Sequence, residues 1–279
     1  MKVVNQQLIK DVNLKNLYNL IHANDGISRA QLAKLTDLSK TTVSTLIDEL
    51  INRNFVYDSG TSETDSVGRK PNSLHIKANS YYVINIVWID NTVDVFLMDI
   101  ADKNVYEEHM EVKERDTYIT LSQKSVYNSI LTKVSKDRIL GICVVVSAMI
   151  DTRKSIFYST TLNMSEAGQA NLIHDLGTAF RDFPVALLND TACYAYAEKI
   201  YTRVRETDFA FINFSHGIGA TLFLDNEMVG HAGGASTQFG HYSVNPEGKL
   251  CVCGNRGCLE APLLILEKPR NKAIWWLGR

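Results

Sequence analysis

Cys251-Val-Cys253-Gly254-Asn-Arg-Gly257-Cys258-Leu-Glu260 is the stretch that most restricts how this chain can fold. Three thiols in a Cys-x-Cys-x4-Cys pattern sit on a turn tight enough to converge on one point. Gly240-His241, ten residues upstream, supplies an imidazole that completes a Cys3His tetrahedron. Zn2+ takes such a set readily, and a site with all four positions filled by protein is structural rather than catalytic. The alternative is three buried thiols beside an unrelated histidine. Gly254 and Gly257 suit a folded metal knuckle better than a core strand.

The rest of the chain must carry that knuckle. At 279 residues it is long enough for two domains. No apolar run approaches the roughly 18 residues that would span a bilayer. Met1-Lys-Val-Val-Asn has no apolar core of a signal peptide, so a cytoplasmic protein without a membrane partner is expected. Five cysteines, three of them in one knuckle, fit reduced thiols better than a disulfide framework. The formal net charge of −2 gives no sign of nucleic acid. Residues 1–76 hold nine Lys and Arg against eight Asp and Glu. That balance argues against indiscriminate phosphate binding and leaves room for a reader whose few cations share one face.

The N-terminal pattern points to such a reader. Val12 to Asn24 places Leu14, Leu17, Leu20 and Ile21 on one helical stripe, and Gly26 ends it. Ser28-Arg-Ala-Gln31 is a capping box that opens a short second helix. Thr36-Asp37-Leu38 makes a turn, and Ser39 caps a third helix with Val43, Leu46, Ile47, Leu50 and Ile51 as its buried stripe. The opposite face at its start offers Lys40, Thr41, Thr42, Ser44 and Thr45, short polar groups with one cation and no early acid. Two helices joined by a tight turn, the second with such a leading face, form the pattern that enters a DNA major groove. Phe55–Asp58 and Ser73–Ile76 read as paired strands, and the loop between them holds Gly68-Arg69-Lys70-Pro71 as a basic wing tip. The alternative is a three-helix bundle used for protein contact.

From Tyr81 the pattern turns to strands: Tyr82–Trp88, Val93–Met98 and Val105–Val112. Leu140–Val146 is a continuous apolar run of the kind found in a central parallel strand, and amphipathic stretches near 118–135 and 168–182 supply covering helices. The alternation predicts an α/β fold. Asn189-Asp190 stands just past the apolar strand Val185–Leu188, where ligand-binding groups of open α/β sheets gather. Taken alone, Asp190 reads rather as the cap of the helix that follows.

Gly-His, a spacer and Cys-x-Cys-Gly-x-x-Gly-Cys-Leu-Glu resemble the zinc signature of the ROK family of repressors, open reading frames and sugar kinases. Ser28-Arg-Ala-Gln-Leu-Ala, Leu-Ser-Lys-Thr-Thr-Val-Ser and Gly-Arg-Lys-Pro are similar to the DNA-binding head of its repressors. The resemblance runs from about residue 10 to Ala261. It implies a winged helix-turn-helix over 1–78 and an actin/hexokinase-like, two-lobed domain over 79–279. It also implies metal ligands His241, Cys251, Cys253 and Cys258, and a sugar held by Asn189, Asp190, His241 and Glu260. The function implied is transcriptional repression, with a homodimer on double-stranded operator DNA released by a sugar effector, xylose among the candidates.

Departures from the family pattern bear on activity. ROK kinases carry Asp-x-Gly-Gly-Thr on their first hairpin. Here Val87 takes the aspartate position, and Ile89, Asp90 and Asn91 take the Gly-Gly-Thr. A β-branched side chain blocks the backbone approach that glycine permits. The second phosphate loop reads Ser215-His216-Gly217-Ile218-Gly219. Phosphoryl transfer rests on positioning and charge stabilisation, so no enzymatic activity is expected. Gln238 replaces a usual glutamate, which weakens one charge-assisted bond, and Ala148 replaces a pocket glycine. The first lobe is expected over about 79–185 and an incomplete second lobe over about 186–261, with 262–279 an unmatched tail lacking helical or strand period. Truncation of the effector lobe is the reading adopted. Its alternative is a short form whose open sheet edge takes a partner. For the function, the alternatives are a ROK sugar kinase with an N-terminal extension, disfavoured by the lost phosphate loops, and a constitutive DNA-binding protein that has lost its effector response.

Overall fold

The computed structural model describes residues 6–60, 73–113, 117–151, 154–162, 164–201, 204, 206–214, 217–230 and 238–262, together with the backbone of 274–277. Two compact units emerge. One holds Met1–Val83 with Leu97–Tyr106 and Ser135–Leu140, and the other Ile84–Phe96, Glu107–Val134 and Gly141–Arg279. The N-terminal head therefore shares its unit with residues of the later sheet. Among the described residues, no helix is long and apolar enough to cross a membrane.

In the head, α1 (Gln6–Ala23), α2 (Arg29–Thr36) and α3 (Lys40–Asn52) precede a small antiparallel pair, β1 (Val56–Asp58) and β2 (Leu74–Ile76). The helix starts follow from local chemistry. Ser28 Oγ accepts the Gln31 N–H while the Gln31 side chain accepts the Ser28 N–H, and Ser39 Oγ accepts the Thr42 N–H. Asp37 ends α2 in a left-handed conformation at φ 54°, a geometry that short polar side chains tolerate. Leu14, Leu17 and Ile21 of α1 close against Val43, Ile47 and Leu50 of α3, with Leu32, Val56 and Leu74 in the same core. α1 starts earlier than its buried stripe, and the added turn leaves Leu8 and Ile9 exposed.

The later chain supplies β3 (Tyr82–Ile89), β4 (Thr92–Asp99), β5 (Asn104–Glu111), α4 (Tyr118–Lys124, extended by a π-helical turn to Ile130), β6 (Ile139–Val146), β7 (Met149–Asp151), β8 (Ile156–Tyr158), α5 (Glu166–Ala179), β9 (Val185–Asn189) and α6 (Asp190–Tyr201). Strand order in the main sheet is β5-β4-β3-β6-β9. β6 and β9 are parallel, with Val146 opposite Asn189. Alternate residues of β6 are buried and the rest largely half-buried, so both faces of the strand are covered unequally. The indole N–H of buried Trp88 on β3 donates to Ser122 Oγ at 3.0 Å, which satisfies its polar end as α4 packs on the sheet. β9 is the last strand of this sheet.

β10 (Phe209–Phe214), β11 (Ile218–Leu224), β12 (Glu227–Met228) and β13 (Ile274–Leu277) form a second sheet in the order β12-β11-β10-β13. β13 corrects the expectation that the tail lacks a strand. Ile274–Leu277 runs antiparallel to β10, with Phe211 opposite Trp276. Backbone pairing asks only for an extended segment at an open edge, which a side-chain pattern does not reveal.

Candidate functional site

The knuckle is built on short backbone bridges. Gly257 O accepts the Val244 N–H at 2.8 Å, and the Gly257 N–H donates to Lys249 O at 2.8 Å, so the 255–258 segment is held on both sides. Gly257 sits at φ 67°, where an added Cβ would lie 1.5 Å from Asn245 O. That position excludes every side chain. Gly254 also has positive φ, 87°, but faces open space.

This framework brings His241, Cys251, Cys253 and Cys258 together, with their ligand atoms all within 4.8 Å of one another. Cys251 Sγ lies 3.6 Å from His241 Nδ1, and Cys253 Sγ lies 3.6 Å from Cys258 Sγ. Tetrahedral zinc with sulfur at about 2.3 Å requires donor separations of about 3.8 Å, so this set fits a metal of that size with little movement. Burial and the adjoining thiols push Cys258 up to about 12, so its thiolate form calls for a cation to take the charge. Because His241 turns Nδ1 toward Cys251, Nε2 is the ring nitrogen that points away from the cluster.

Glu260 is 6% exposed and links the cluster to β11. Its Oε1 lies 3.1 Å from His241 Nδ1, and its Oε2 accepts the Ile218 N–H at 3.2 Å. A Cβ on Gly240 would come within 2.6 Å of that oxygen, and one on Gly217 within 3.0 Å. Both glycines make room for the carboxylate. Gly219 makes room in turn for Thr191, whose Oγ1 would stand 2.3 Å from an added Cβ. Asn213 Nδ2 donates to the same Oγ1 at 3.3 Å. Asp190-Thr191, the start of β11, Glu260 and His241 thus form one continuous series of neighbours. Ser215 and His216, the first half of the Gly-rich loop, lie outside the described residues.

At the end of β9 the two predicted sugar ligands behave differently. Asn189 is 2% exposed and caps α6: Oδ1 accepts the Ala192 N–H at 3.1 Å and Nδ2 donates to Ala148 O at 2.9 Å. The capping role raised for Asp190 therefore falls to Asn189. Asp190 Oδ1 accepts the Thr191 N–H at 2.7 Å. Part of its surface reaches solvent, yet protein surrounds the carboxyl. That burial holds its pKa above the ordinary range, against the lowering bonds from the Thr191 N–H and the Ser147 hydroxyl. Ser147 is a polar group of this site that the sequence pattern does not single out. Its only signal is its place directly after the apolar run of β6.

The first-hairpin positions keep their non-glycine geometry. Asp90 turns at φ 49°, Tyr118 OH donates to Asp90 O, and Thr92 Oγ1 donates to Ile89 O at 2.9 Å. This turn is closed by Thr92 and by Tyr118 of α4.

On the head, Lys40, Thr41, Thr42 and Thr45 are exposed along the first turns of α3, and Ser44 is half-buried. Thr45 Oγ1 donates to Thr41 O at 3.1 Å, and the Ser39 and Thr42 hydroxyls lie 2.8 Å apart. Asp48, the first acid on the helix, is bound by Arg29 at 2.8 Å, so its charge is matched away from the leading face. Arg69 and Lys70, the predicted wing cations, lie outside the described residues.

Comparison with known proteins agrees with this arrangement. The sequence model of the ROK family matches residues 90–263, and that of a winged helix-turn-helix DNA-binding domain matches residues 10–57. The xylose repressor of Bacillus spizizenii is 27% identical over 98% of this chain and 71% of its own length. The DNA-binding transcriptional repressor Mlc of Escherichia coli is 26% identical over 90% of this chain and 63% of its own length. A solved ROK family transcriptional regulator, described as a homologue of E. coli Mlc, superposes with a TM-score of 0.72 at 22% identity, covering 92% of this chain and 66% of that one. The chain thus spans about two thirds of the length of these relatives.

Proposed function

The chain belongs to the ROK family, and from that premise we propose that it is a DNA-binding transcriptional repressor that answers to a sugar. Residues 1–78 read DNA and residues 79–279 sense the effector. The observation that carries this reading is the exposed leading face of α3, polar and free of acids, on a winged head joined to a ROK domain.

Lys40, Thr41, Thr42, Ser44 and Thr45 face base edges and flanking phosphates, and Arg69 and Lys70 take phosphates from the wing. Two such heads in a homodimer would occupy successive major grooves. Relatives of this chain include xylose and N-acetylglucosamine repressors, which supports a monosaccharide or amino sugar as effector. Asp190, the Nε2 edge of His241 and Glu260 are the polar groups best placed to meet sugar hydroxyls. Asn189 acts behind them, holding the turn that aims Asp190.

His241, Cys251, Cys253 and Cys258 hold Zn2+ as a structural ion, which neutralises the thiolates and fixes the loop that presents His241 and Glu260. β-branched Val87 and Ile89 and the closed turn at Asp90 support a role without phosphoryl transfer. Reduced thiols and DNA as partner fit a cytoplasmic protein. Fluorescence anisotropy with DNA from upstream of its own gene, with and without a panel of monosaccharides, tests the proposal. Saturable, salt-dependent binding that a sugar weakens is the expected result. Absence of preference for that DNA over a scrambled duplex overturns it.

A further inference from the structure

The β4–β5 turn is organised to an unusual degree for a surface connection. Asp99, 3% exposed, accepts the N–H groups of Ala101 at 2.9 Å and Lys103 at 3.0 Å through Oδ1. Its own N–H donates to Lys103 O at 2.9 Å. Asp102 is held at φ 62°. A turn pinned at this many points has one shape.

The head grips that turn. Tyr18 OH on α1 donates to Ile100 O at 2.8 Å, and His22 Nε2, one turn further along α1, lies 3.1 Å from Asp102 Oδ2. The Ile100 N–H donates to Tyr81 O at 3.2 Å, so one residue of the turn bonds α1 and the segment entering β3. Tyr81 stacks on Phe55 at 4.9 Å, and Phe55 meets the edge of the Tyr18 ring at 6.0 Å. Arg138, immediately before β6, donates to Ser80 O at 3.0 Å and lies over the Tyr82 ring. All these residues belong to the same compact unit.

Four strands meet here: β3 and β6 begin, β4 ends and β5 begins. β6 then runs eight residues to Val146, followed by Ser147 and Ala148, which bind Asp190 and Asn189.

We propose that the β4–β5 turn is the joint through which the effector domain sets the position of the DNA-reading helices, with Tyr18 and His22 as its positioning residues. The proposal rests on the repressor reading above. Among the described residues, Tyr18 and His22 give α1 two directional polar contacts with this turn, and such contacts restrict orientation more than aromatic packing does. Coupling between distant sites requires an element that both states bias, and a rigid turn gripped at few points is such an element. Removing the two polar bonds should leave the head folded on its own core and loosen its hold on the turn.

The test compares the full-length chain with Tyr18→Phe/His22→Ala, using DNA from upstream of its own gene at fixed salt and, as probes, D-xylose, D-glucose and N-acetyl-D-glucosamine. The wild type should lose about fivefold or more in DNA affinity with one of the sugars. The variant should bind DNA within about threefold of wild type without sugar, and the sugar should change that affinity by less than about twofold. His22→Gln, which keeps an N–H donor toward Asp102, should retain the response. An equal sugar response in wild type and the double variant overturns the joint and leaves the repressor reading intact. So does a variant that loses sugar-free DNA affinity but keeps the fold-response, since that marks a structural role alone. A wild-type chain that ignores every sugar, or the DNA itself, overturns the repressor reading and the joint with it.

Discussion

Glu260 accepts the backbone N–H of Ile218 at 3.2 Å, and this single bond ties the knuckle to the first residue of β11. The same carboxylate stands 3.1 Å from the ring of His241. Glu260→Ala should leave a half-buried N–H unpaired and cost about 1–3 kcal/mol, whereas Glu260→Gln keeps an acceptor and should cost well under half of that. Urea unfolding followed by tryptophan fluorescence measures both. Equal losses would show that the bond to Ile218 contributes nothing specific.

The knuckle glycines separate space from conformation. Gly257→Ala meets Asn245 O at 1.5 Å and should abolish metal retention. Gly254→Ala faces open space, carries only the left-handed backbone penalty of roughly 1–2 kcal/mol, and should keep its ion. Metal analysis after gel filtration should give about one zinc per chain for wild type and Gly254→Ala, and none for Gly257→Ala or Cys251→Ser. Zinc that survives Cys251→Ser would remove that thiol from the ligand set.

For DNA, exchanging Arg69 and Lys70 for alanine should weaken binding to all sequences alike and reduce the log–log salt slope by about 0.9 for each phosphate no longer neutralised. Thr42→Ala should change which operator bases matter and leave the salt slope alone. Salt titrations on a set of single-base operator variants distinguish the two. Identical behaviour of wing and helix variants would remove α3 from the groove.

Asp190 carries a pH signature. Burial raises its native pKa above the unfolded value near 3.8, so the native state holds this proton more tightly than the unfolded chain does. The stability it contributes is full below that unfolded value and is lost as pH rises through the native pKa. Asp190→Asn keeps an acceptor for the Thr191 N–H and lacks the charge, so it should melt a few degrees higher than wild type at pH 7. The gap should close as pH falls toward 4. A gap that widens on acidification would mean that the carboxylate form is the stabilised one.

Local chemistry was legible wherever a residue answers to its neighbours in sequence. The Ser28–Gln31 box, the Ser39 cap and the stripe Val43-Leu46-Ile47-Leu50 stand where periodicity put them. So do the strands from Tyr82 to Val146, within a residue or so at each end. The four metal-type ligands were legible from spacing because the turn that joins them is short. The bonds made across the fold were not. Asn189 and Asp190 are adjacent on the chain, and only the fold shows that Asn189 caps α6 while Asp190 sits beside Ser147. Tyr18 and Ile100 are 82 residues apart, and neither carries a sequence signal of their bond. β7, β8 and β12 are too short to show a period, and β13 is defined by its partner rather than by its own residues.

Gly217 and Gly219 have a wider lesson for how such chains are classified. A Gly-x-Gly at the start of a strand invites assignment to nucleotide binding. In this fold a carboxylate fills the space beside the first glycine and a threonine hydroxyl fills the space beside the second. Selection for tight packing alone would keep both glycines in a regulator that never meets ATP. The turn therefore loses its value as a marker of kinases, and the side chain that crowds each glycine becomes the better diagnostic.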